Sequence, residues 1–275
     1  MVKLIIITDM DGTLLEAGSY SFDTALPALE LVRERNVPLV VCSSKTRTEI
    51  EHYRERFGNT DPFISENGGA LFVPKGHFKD KAPPPASAAE EEDARYRIVR
   101  LGAKYEDLRR VISELQDEGF GVRGFGDMTA EEIALTTGLP ENEAVMAAKR
   151  EFDEPFVFNG NDAMKEKLVI AVREKGFSIT RGWFYHILGP SDKGGAVSLL
   201  IKMYRKEFGK VRTVGLGNSL NDVPMLRCVD HPVVVEKSGG GYDPCFAGEN
   251  FKRAKGVGPE GWNRAVIELL EELEG

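Results

Sequence analysis

The sequence predicts an α/β fold in which a doubly wound parallel sheet is interrupted by an inserted α+β domain. Short apolar runs alternate with amphipathic helical patterns near both ends of the chain, as in successive βα units on a parallel sheet. The middle of the chain mixes strand and helix patterns in a less regular order. Hydrophobic residues make up 41% and charged residues 29% of the 275 residues, which is usual for a globular protein and excludes a disordered one.

The two terminal segments together predict one core domain. Strands are predicted at 4–8, 38–43, 212–217 and 232–236. Helices are predicted at 25–36, 46–57, 193–208 and 262–274. Because the early strands need the late ones as partners in a parallel sheet, we expect residues 1–82 and 190–275 to form a single domain.

The segment between them predicts an inserted domain at 83–189. It follows the tract KDKAPPPASAAEEEDAR at 79–95, which has no periodicity and predicts a linker. Strands are then predicted at 97–102, 120–125 and 155–160, and a hairpin at 177–189. Helices are predicted at 105–119, near 129–138 and 141–152, and at 162–176.

Charge and cysteine content narrow the classes of partner and compartment. With 36 basic and 44 acidic residues the net charge is −8, so we expect neither nucleic acid nor a membrane surface as a partner. No apolar run reaches the length of a membrane span, and the start of the chain lacks the pattern of a signal peptide. The three cysteines are widely spaced and do not have the spacing of zinc ligands. So few cysteines fit a reducing cytoplasm. Whether the chain forms a homodimer is left open.

Two aspartates follow the first predicted strand, in the run Asp9-Met10-Asp11-Gly12-Thr13. Alternation along an extended chain puts Asp9 and Asp11 on one side, at the strand end where open α/β sheets bind ligands. Two close carboxylates repel each other unless a cation or a shared proton compensates. The pair predicts a Mg2+ site in which one carboxylate attacks phosphorus and the other moves a proton. The alternative is a solvated turn.

Three further polar motifs lie at predicted strand ends or helix starts. Asn218 and Asp222 follow the strand at 212–217 and offer oxygen ligands to the same cation. Ser43-Ser44-Lys45 ends the strand at 38–43 and offers donors to phosphoryl oxygens. Lys193 opens a helix, where a cation and the helix dipole both favour an anion. Each motif taken singly also fits a purely structural role: a turn and helix cap after the strand at 212–217, a helix cap after the strand at 38–43, and a surface lysine at 193.

In this order and spacing the four motifs resemble those of the haloacid dehalogenase superfamily of phosphatases, over residues 9–222. The resemblance implies a Rossmann-like core with a C2-type α/β cap, as in the Cof-like branch. It implies that Asp9 is the nucleophile, that Asp11 is the general acid and base, and that Ser43 and Lys193 hold the phosphoryl group. The Mg2+ ligands it implies are Asp9, Asp11, Asn218 and Asp222. That branch usually has aspartate at the position of Asn218, so we expect weaker metal binding here.

Longer stretches are similar to the mannosyl-3-phosphoglycerate phosphatase family. They are SSKTRTE after the second strand, ISENGGALF at 64–72, residues 128–156, and GLGNSLNDVPML. The resemblance implies a phosphorylated glycosyl-glycerate substrate, whose phosphate and carboxylate need local cations and whose sugar needs hydrogen-bonding groups. The residues expected to bind it are Thr13, Ser44, Lys45, Arg47, Asn67, Gly68, Arg150 and Arg181. His186, in the aromatic run after Trp183, is expected to be a packed histidine.

Three alternatives stay open at this point. The sugar could be glucosyl instead of mannosyl, or the enzyme could be a broad sugar-phosphate phosphatase or phosphomutase on the same core. A different class is a non-catalytic binding module, of which Asn218 would be the first sign. Release of phosphate that depends on magnesium separates an enzyme from a binder, and substrate preference separates the two kinds of enzyme.

Overall fold

The computed structural model describes residues 2–79 and 88–274 and confirms the predicted α/β class. The strands are β1 (Lys3–Thr8), β2 (Leu39–Cys42), β3 (Phe63–Ser65), β4 (Ala70–Pro74), β5 (Ala89–Glu92), β6 (Tyr96–Arg100), β7 (Val122–Gly124), β8 (Asp153–Phe158), β9 (Ser178–Arg181), β10 (Tyr185–Leu188), β11 (Val211–Gly217), β12 (His231–Glu236) and β13 (Lys252–Val257). The helices are α1 (Leu26–Glu34), α2 (Arg47–Phe57), α3 (Tyr105–Asp117), α4 (Ala130–Thr137), α5 (Glu141–Ala147), α6 (Asp162–Glu174), α7 (Lys193–Phe208), α8 (Val223–Leu226) and α9 (Pro259–Glu274). Within the described residues, no helix is long and apolar enough to cross a membrane.

The larger sheet has nine strands in the order β13-β12-β11-β1-β2-β3-β4-β6-β5. The strands from β13 to β3 are parallel, and β4, β6 and β5 extend the sheet in antiparallel pairs. Early strands β1 and β2 therefore pair beside late strands β11 and β12, as the alternation of βα units predicts. The ends of β1 and β11 meet at one edge of this sheet, which is where the polar motifs of the sequence lie.

Helices cover both faces of the parallel strands. Along β1, Leu4 and Ile6 pack in one apolar cluster with α1 and α9, while Ile5 and Ile7 pack in another with α7 and α8. An apolar run without polar alternation is what a strand buried on both faces needs. The sheet is thus doubly wound, and its rigid core fixes where each strand end presents its side chains.

The structure moves one predicted strand from the inserted domain to the large sheet. Residues 97–102 were expected to open the insertion at 83–189, but β6 pairs with β4 and carries buried side chains on both faces, among them Ile98 and Val99. Part of the predicted linker is also a strand, because β5 pairs with β6 at the edge and Glu90 accepts from Arg97 at 2.7 Å. Residues 80–87, which hold the proline run, lie outside the described part of the chain.

The second sheet has four antiparallel strands in the order β7-β8-β10-β9. Helices α3 and α6 pack on one face of it around Leu108, Ile112, Leu168 and Val172. Helix α5 packs instead on α2 of the core, and α4 packs on α5. We call residues 105–188 the cap, because its uncovered sheet face and helices α4 and α5 lie over the strand ends of the core.

Candidate active site

A buried lysine joins the first and last polar motifs of the sequence. Lys193 Nζ donates to Asp9 Oδ1 and to Asp222 Oδ1, each at 2.6 Å. Asp9 follows β1, Lys193 opens α7, and Asp222 lies in the turn after β11, so the sheet order brings together residues 213 positions apart. Lys193 and Asp222 are fully buried, and Asp9 is 5% exposed.

Asp9 lies in surroundings that disfavour its negative charge. Burial and the nearby Asp222 carboxylate raise the pKa of Asp9 to about 7, although Lys193 opposes this. The other oxygen of Asp9 accepts from Thr13 Oγ1 at 3.2 Å, which fixes the plane of the carboxylate. A carboxylate held this way, with little water around it, is positioned to act as a nucleophile.

Asp11 lies at the base of the cavity and is paired with Lys45. Lys45 Nζ is 3.2 Å from Asp11 Oδ1 and 3.2 Å from Glu49 Oε1. Glu49 is itself fixed by the capping box that starts α2, in which Thr46 and Glu49 exchange hydrogen bonds. Burial, and secondarily Glu49, raise the pKa of Asp11, while Lys45 lowers it. A carboxyl group with a raised pKa can hold and return a proton, as an acid-base residue must.

The oxygen atoms around Gly12 fit a divalent cation. They are the Asp9 and Asp11 carboxylates, the Asp11 carbonyl and the side-chain oxygen of Asn218. In this structure the Asn218 amide nitrogen donates to the Asp11 carbonyl at 3.1 Å, and a turn of the amide would bring its oxygen there. Gly12 has a φ of +73°, and a methyl group on it would lie 2.3 Å from the Asn218 amide nitrogen. The missing side chain at Gly12 therefore lets the Asn218 amide approach the backbone beside Asp11.

The carboxylate oxygens of Asp222 are already occupied by hydrogen bonds within the protein. Besides Lys193, its carboxylate accepts from the backbone N–H groups of Asn218 at 2.9 Å and Ser219 at 3.0 Å. Among the residues described, no group of three or more His, Cys, Asp and Glu side chains is arranged to hold a metal. A cation here would thus depend partly on neutral oxygens, and Asp222 would shape the loop that presents Asn218.

A cavity that is open to solvent lies between these residues and the cap. The core lines it with Asp9, Asp11, Tyr20, Ser44, Lys45, Glu49, Asn218, Ser219 and Asn221. The cap lines it with Phe125, Thr137, Leu139, Ala147, Arg150, Pro155, Gly182, Trp183, Phe184 and His186. The site is therefore shared between the two parts of the chain.

Several lining residues were not predicted as site residues. Trp183 and Phe184 lie in the turn between β9 and β10, and a methyl group on Gly12 would lie 4.0 Å from the Trp183 indole nitrogen. His186 was predicted to be a packed histidine, and it is buried but also lines the cavity. The aromatic run at 183–185 was the available signal, since exposed aromatic side chains at a turn commonly contact ligands.

The second motif presents a different serine from the one expected to hold phosphate. Ser43 is fully buried and its hydroxyl accepts from the Lys45 backbone N–H at 3.2 Å, whereas Ser44 lines the cavity. Thr13 is also fully buried and acts on Asp9, not on the cavity. Side chains alternate along the end of β2, so a shift of one residue decides which serine faces the ligand.

Two of the predicted substrate-binding arginines lie away from this cavity. The Arg47 guanidinium pairs with Asp93 at 2.5 Å and Glu51 at 3.2 Å. Arg181 is exposed on β9 and lies over the Tyr185 ring, 4.9 Å from its centroid. Neither arginine lines the cavity, so neither is positioned to contact a ligand there.

Asn67 and Gly68, expected near the sugar, connect core and cap. Asn67 donates to Asp153 Oδ2 at 2.8 Å and accepts from Asn221 at 2.9 Å, and it is 1% exposed. Gly68 has a φ of +93°, and a methyl group on it would lie 2.1 Å from the Asp192 carbonyl oxygen. These two residues therefore fix the start of α7 and the start of β8 and do not line the cavity.

Arg150 lines the cavity but is surrounded by carboxylates. It donates to Asp153 and to the Ser44 carbonyl, the latter at 3.0 Å. Glu66 lies 3.7 Å and Glu49 3.9 Å from its guanidinium nitrogens. The predicted arginine fork for a substrate carboxylate does not fit this arrangement, because the guanidinium already donates to the Asp153 carboxylate and to the Ser44 carbonyl.

Comparisons with known proteins agree on one family. The family of haloacid dehalogenase-like hydrolases matches residues 6–99. A glucosyl-3-phosphoglycerate/mannosyl-3-phosphoglycerate phosphatase of Methanococcoides burtonii is 41% identical over 98% of both chains. One of Persephonella marina, with the same name, is 40% identical over 98% of both chains. The fold is also that of a haloalkanoate-superfamily phosphatase from Bacteroides thetaiotaomicron, with a TM-score of 0.65, 18% identity and coverage of 99% and 95%.

Proposed function

The chain belongs to the haloacid dehalogenase-like hydrolases, and we propose that it is a phosphatase that releases phosphate from mannosyl-3-phosphoglycerate or glucosyl-3-phosphoglycerate. The observation that carries this proposal is the pair Asp9 and Asp11 at the base of a cavity that the cap closes. Of this pair, Asp9 is held by Lys193 and Asp11 by Lys45. Full-length relatives at 40% and 41% identity with the same named activity support the choice of substrate.

The proposed reaction begins with the buried nucleophile. An oxygen of Asp9 attacks phosphorus, and the bond from phosphorus to the glycerate oxygen breaks. Asp11 gives its proton to that oxygen, so that glycosylglycerate leaves as a neutral alcohol at this position. Lys193 holds Asp9 in line and offsets the charge that develops on the phosphoryl group.

Water completes the reaction in the second step. Asp11, now ionised, takes a proton from a water molecule, whose oxygen attacks the phosphorus of the Asp9 acyl phosphate. The bond between phosphorus and Asp9 breaks, which frees phosphate and restores both carboxyl groups to their starting forms. Asp11 therefore acts first as an acid and then as a base.

We propose Mg2+ as the cofactor, which would be held by the Asp9 carboxylate, the Asp11 backbone carbonyl and the Asn218 side-chain oxygen. All available donors are oxygens, which this hard cation prefers. When bound, such an ion supplies positive charge between Asp9 and the phosphoryl oxygens. Asn218 carries no charge, so we expect the affinity to be modest and to rise in the Asn218→Asp variant.

The cap supplies the proposed selectivity. The phosphate is placed at Asp9, and the remainder of the substrate extends between Tyr20 of the core and the cap residues Trp183 and Phe184. Aromatic rings offer apolar faces on which a sugar ring can pack. The groups that the proposal uses all come from one chain, so the reaction does not require a homodimer. We also propose a cytoplasmic location, which the three free cysteines Cys42, Cys228 and Cys245 support.

Phosphate release tests the function. Four substrates are compared with and without Mg2+: mannosyl-3-phosphoglycerate, glucosyl-3-phosphoglycerate, mannose 6-phosphate and 3-phosphoglycerate. Asp9→Asn is the inactive variant, and Asp23→Asn, which removes an exposed carboxylate, is the matched control. We expect fast release from one or both glycosyl phosphoglycerates, only with the metal and not in Asp9→Asn.

The other outcomes separate the alternatives. Equal and slow release from all four substrates would point to a broad phosphatase and would refute the role of the cap. Release from none of them would favour a binding module. Near-normal rates in Asp9→Asn would exclude the covalent route.

A further inference from the structure

One histidine of the cap, His186, is held in place by a hydrogen bond to a buried aspartate. His186 Nδ1 lies 3.0 Å from Asp153 Oδ2, and Asp153 is fully buried. Arg150 and His186 lower the pKa of Asp153 although burial opposes this, so the aspartate is ionised and accepts a hydrogen bond from Nδ1–H. In the neutral form of the imidazole this leaves Nε2 as an acceptor, and no hydrogen bond to Nε2 is found among the described residues.

The position of His186 on the sheet directs it to the cavity. Strand β10 pairs with β8, and His186 lies opposite Pro155 in that register. Both residues line the cavity, whereas the neighbouring Tyr185 packs on the opposite face with α3 and α6. His186 is 4% exposed, so the cavity is the one place that a ligand can reach it.

The charge around His186 indicates which part of the substrate lies there. Asp153 and Glu49 lie against the Arg150 guanidinium, Glu49 also lies 3.2 Å from Lys45 Nζ, and burial raises the pKa of Glu66 to about 8. Arg150 and Lys45 are therefore already paired with carboxylates of the protein, so an anionic group of the substrate would gain little from them. Sugar hydroxyls are neutral and can donate to a histidine nitrogen or a carboxylate oxygen. The wall therefore suits the sugar and not the phosphate or carboxylate.

We propose that His186 selects the sugar by accepting a hydrogen bond at Nε2 from one of its hydroxyls. Asp153 is the positioning residue, because it fixes the proton on Nδ1 and so leaves Nε2 as an acceptor. This inference rests on the proposed function, since it takes the substrate to be a glycosyl phosphoglycerate. Beyond that function, it identifies His186 as the residue that recognises one hydroxyl of the sugar.

Substrate analogues and two histidine variants test the proposal. Values of kcat/KM are measured for the better glycosyl-3-phosphoglycerate and for its mono-deoxy sugar analogues. His186→Asn keeps a donor to Asp153 but has no atom at the position of Nε2, whereas His186→Gln can place an oxygen near it. Asp153→Asn removes the acceptor that fixes the tautomer, and His231→Gln, at the start of β12, is the control.

The expected result is an interaction between one hydroxyl and His186. We expect the wild type and His231→Gln to lose about 10- to 100-fold in kcat/KM on one deoxy analogue. His186→Asn should have the same kcat/KM for that analogue and for the parent substrate, equal to the kcat/KM of the wild type for the analogue. His186→Gln should retain part of the preference, and Asp153→Asn should lose it although the histidine is present.

Two results would overturn the inference, and they are distinguishable. If His186→Asn loses the same factor as the wild type on every deoxy analogue, the histidine does not read the sugar. If the wild type releases no phosphate from the parent, the proposed function fails and this inference fails with it. Should Asp153→Asn not fold, the comparison of His186→Asn with His186→Gln decides alone.

Discussion

At the scale of single residues, the site concentrates groups that are costly to bury. Asp9 and Asp222 are both buried and share one ammonium, that of Lys193. Desolvation and the second carboxylate raise the pKa of Asp9 to about 7, so its charged form is disfavoured in the free protein. Such a residue serves reactivity and works against stability.

Removal of the Asp9 charge is expected to stabilise the metal-free protein. The pKa of this acid is higher in the folded chain than its ordinary value of 3.8. Below about pH 4 the wild type therefore bears no penalty, and it loses stability relative to Asp9→Asn as pH rises from about 4 to about 7. Three pKa units correspond to at most about 4 kcal/mol. Thermal unfolding in EDTA at pH 5 and pH 8 measures the difference.

An exposed aspartate provides the control for this stability measurement. Asp23→Asn removes an exposed carboxylate and should leave the melting temperature nearly unchanged at both pH values. If Asp9→Asn is less stable than the wild type at pH 8, the Asp9 carboxylate is stabilised by its surroundings, and the raised pKa is wrong.

Residues that belong to a local motif were the predictable part of the site. Asp9, Asp11 and Asn218 follow strands directly, so the sequence places them at the sheet edge. Both Ser43 and Ser44 were predicted as site residues, but which of them lines the cavity depends on the exact strand end, and only Ser44 does. His186 and Trp183 depend on how the cap lies over the core, for which no local pattern exists.

At the scale of elements, one tight turn connects the core to the cap. Glu66, Asn67 and Gly68 all have positive φ, at +48°, +56° and +93°. The Glu66 carboxylate accepts from the backbone N–H groups of Glu151, Phe152 and Asp153, at 2.9 to 3.1 Å. The turn thereby holds the chain that enters β8, where Asp153 begins the strand.

Two glycines give a matched test of this turn. Gly68 and Gly76 both have positive φ, but only at Gly68 would a methyl group meet other atoms within 4 Å. Gly76→Ala should cost about 1 kcal/mol, from backbone strain alone. Gly68→Ala should cost about 2 to 4 kcal/mol and lower kcat, because the Asp192 carbonyl and the start of α7 with Lys193 must move. Chemical unfolding and phosphate release measure both effects.

Equal costs for the two glycine variants would contradict the proposed role of the turn. The same would follow if Gly68→Ala lost stability without any change in kcat, since Lys193 would then not depend on this packing.

Among the elements, those with a clear period were predictable. The strands with long apolar runs and the amphipathic helices lie where the sequence predicts them. Strands β3, β4 and β13 were not predicted. Strand β5 was not predicted either, because Ala89–Glu92 is exposed and acidic and is held by pairing and by ion pairs. Strand β6 was predicted but assigned to the insertion, since an apolar run does not say which sheet it joins.

At the scale of the whole molecule, the cap lies on the core through apolar and polar contacts. Ile133, Leu139 and Ala144 of the cap belong to the same buried apolar cluster as Ile50 and Tyr53 of the core. Thr46 donates to the Met146 carbonyl at 3.0 Å, and Tyr53 donates to Glu143 at 2.7 Å. Trp183, 46% exposed, reaches from the cap to the loop that holds Asp11 and Gly12. These contacts hold the cap over the cavity that Asp9 lines. That the insertion would be a separate cap was predictable, but not its placement.

Tryptophan fluorescence is expected to report substrate binding at the cap. The chain has two tryptophans, and Trp262 is fully buried with its indole nitrogen donating to Thr8 at 2.9 Å. In the Asp9→Asn background, which binds without turnover, glycosyl-3-phosphoglycerate should shift the Trp183 emission to shorter wavelength. Trp183→Phe is the matched variant and should abolish the shift. An unchanged shift in that variant would show that the cap turn does not contact the substrate.

The role of Asp9 as nucleophile is the claim on which the account depends most. An activated aryl phosphate needs no acid for its leaving group, so the Asp11→Asn variant should still form the acyl phosphate from it but hydrolyse it slowly. We predict a burst of one aryloxide per enzyme, with one phosphoryl group located on Asp9 by peptide mass spectrometry after an acid quench. No burst, or a phosphoryl group on another residue, would contradict the account.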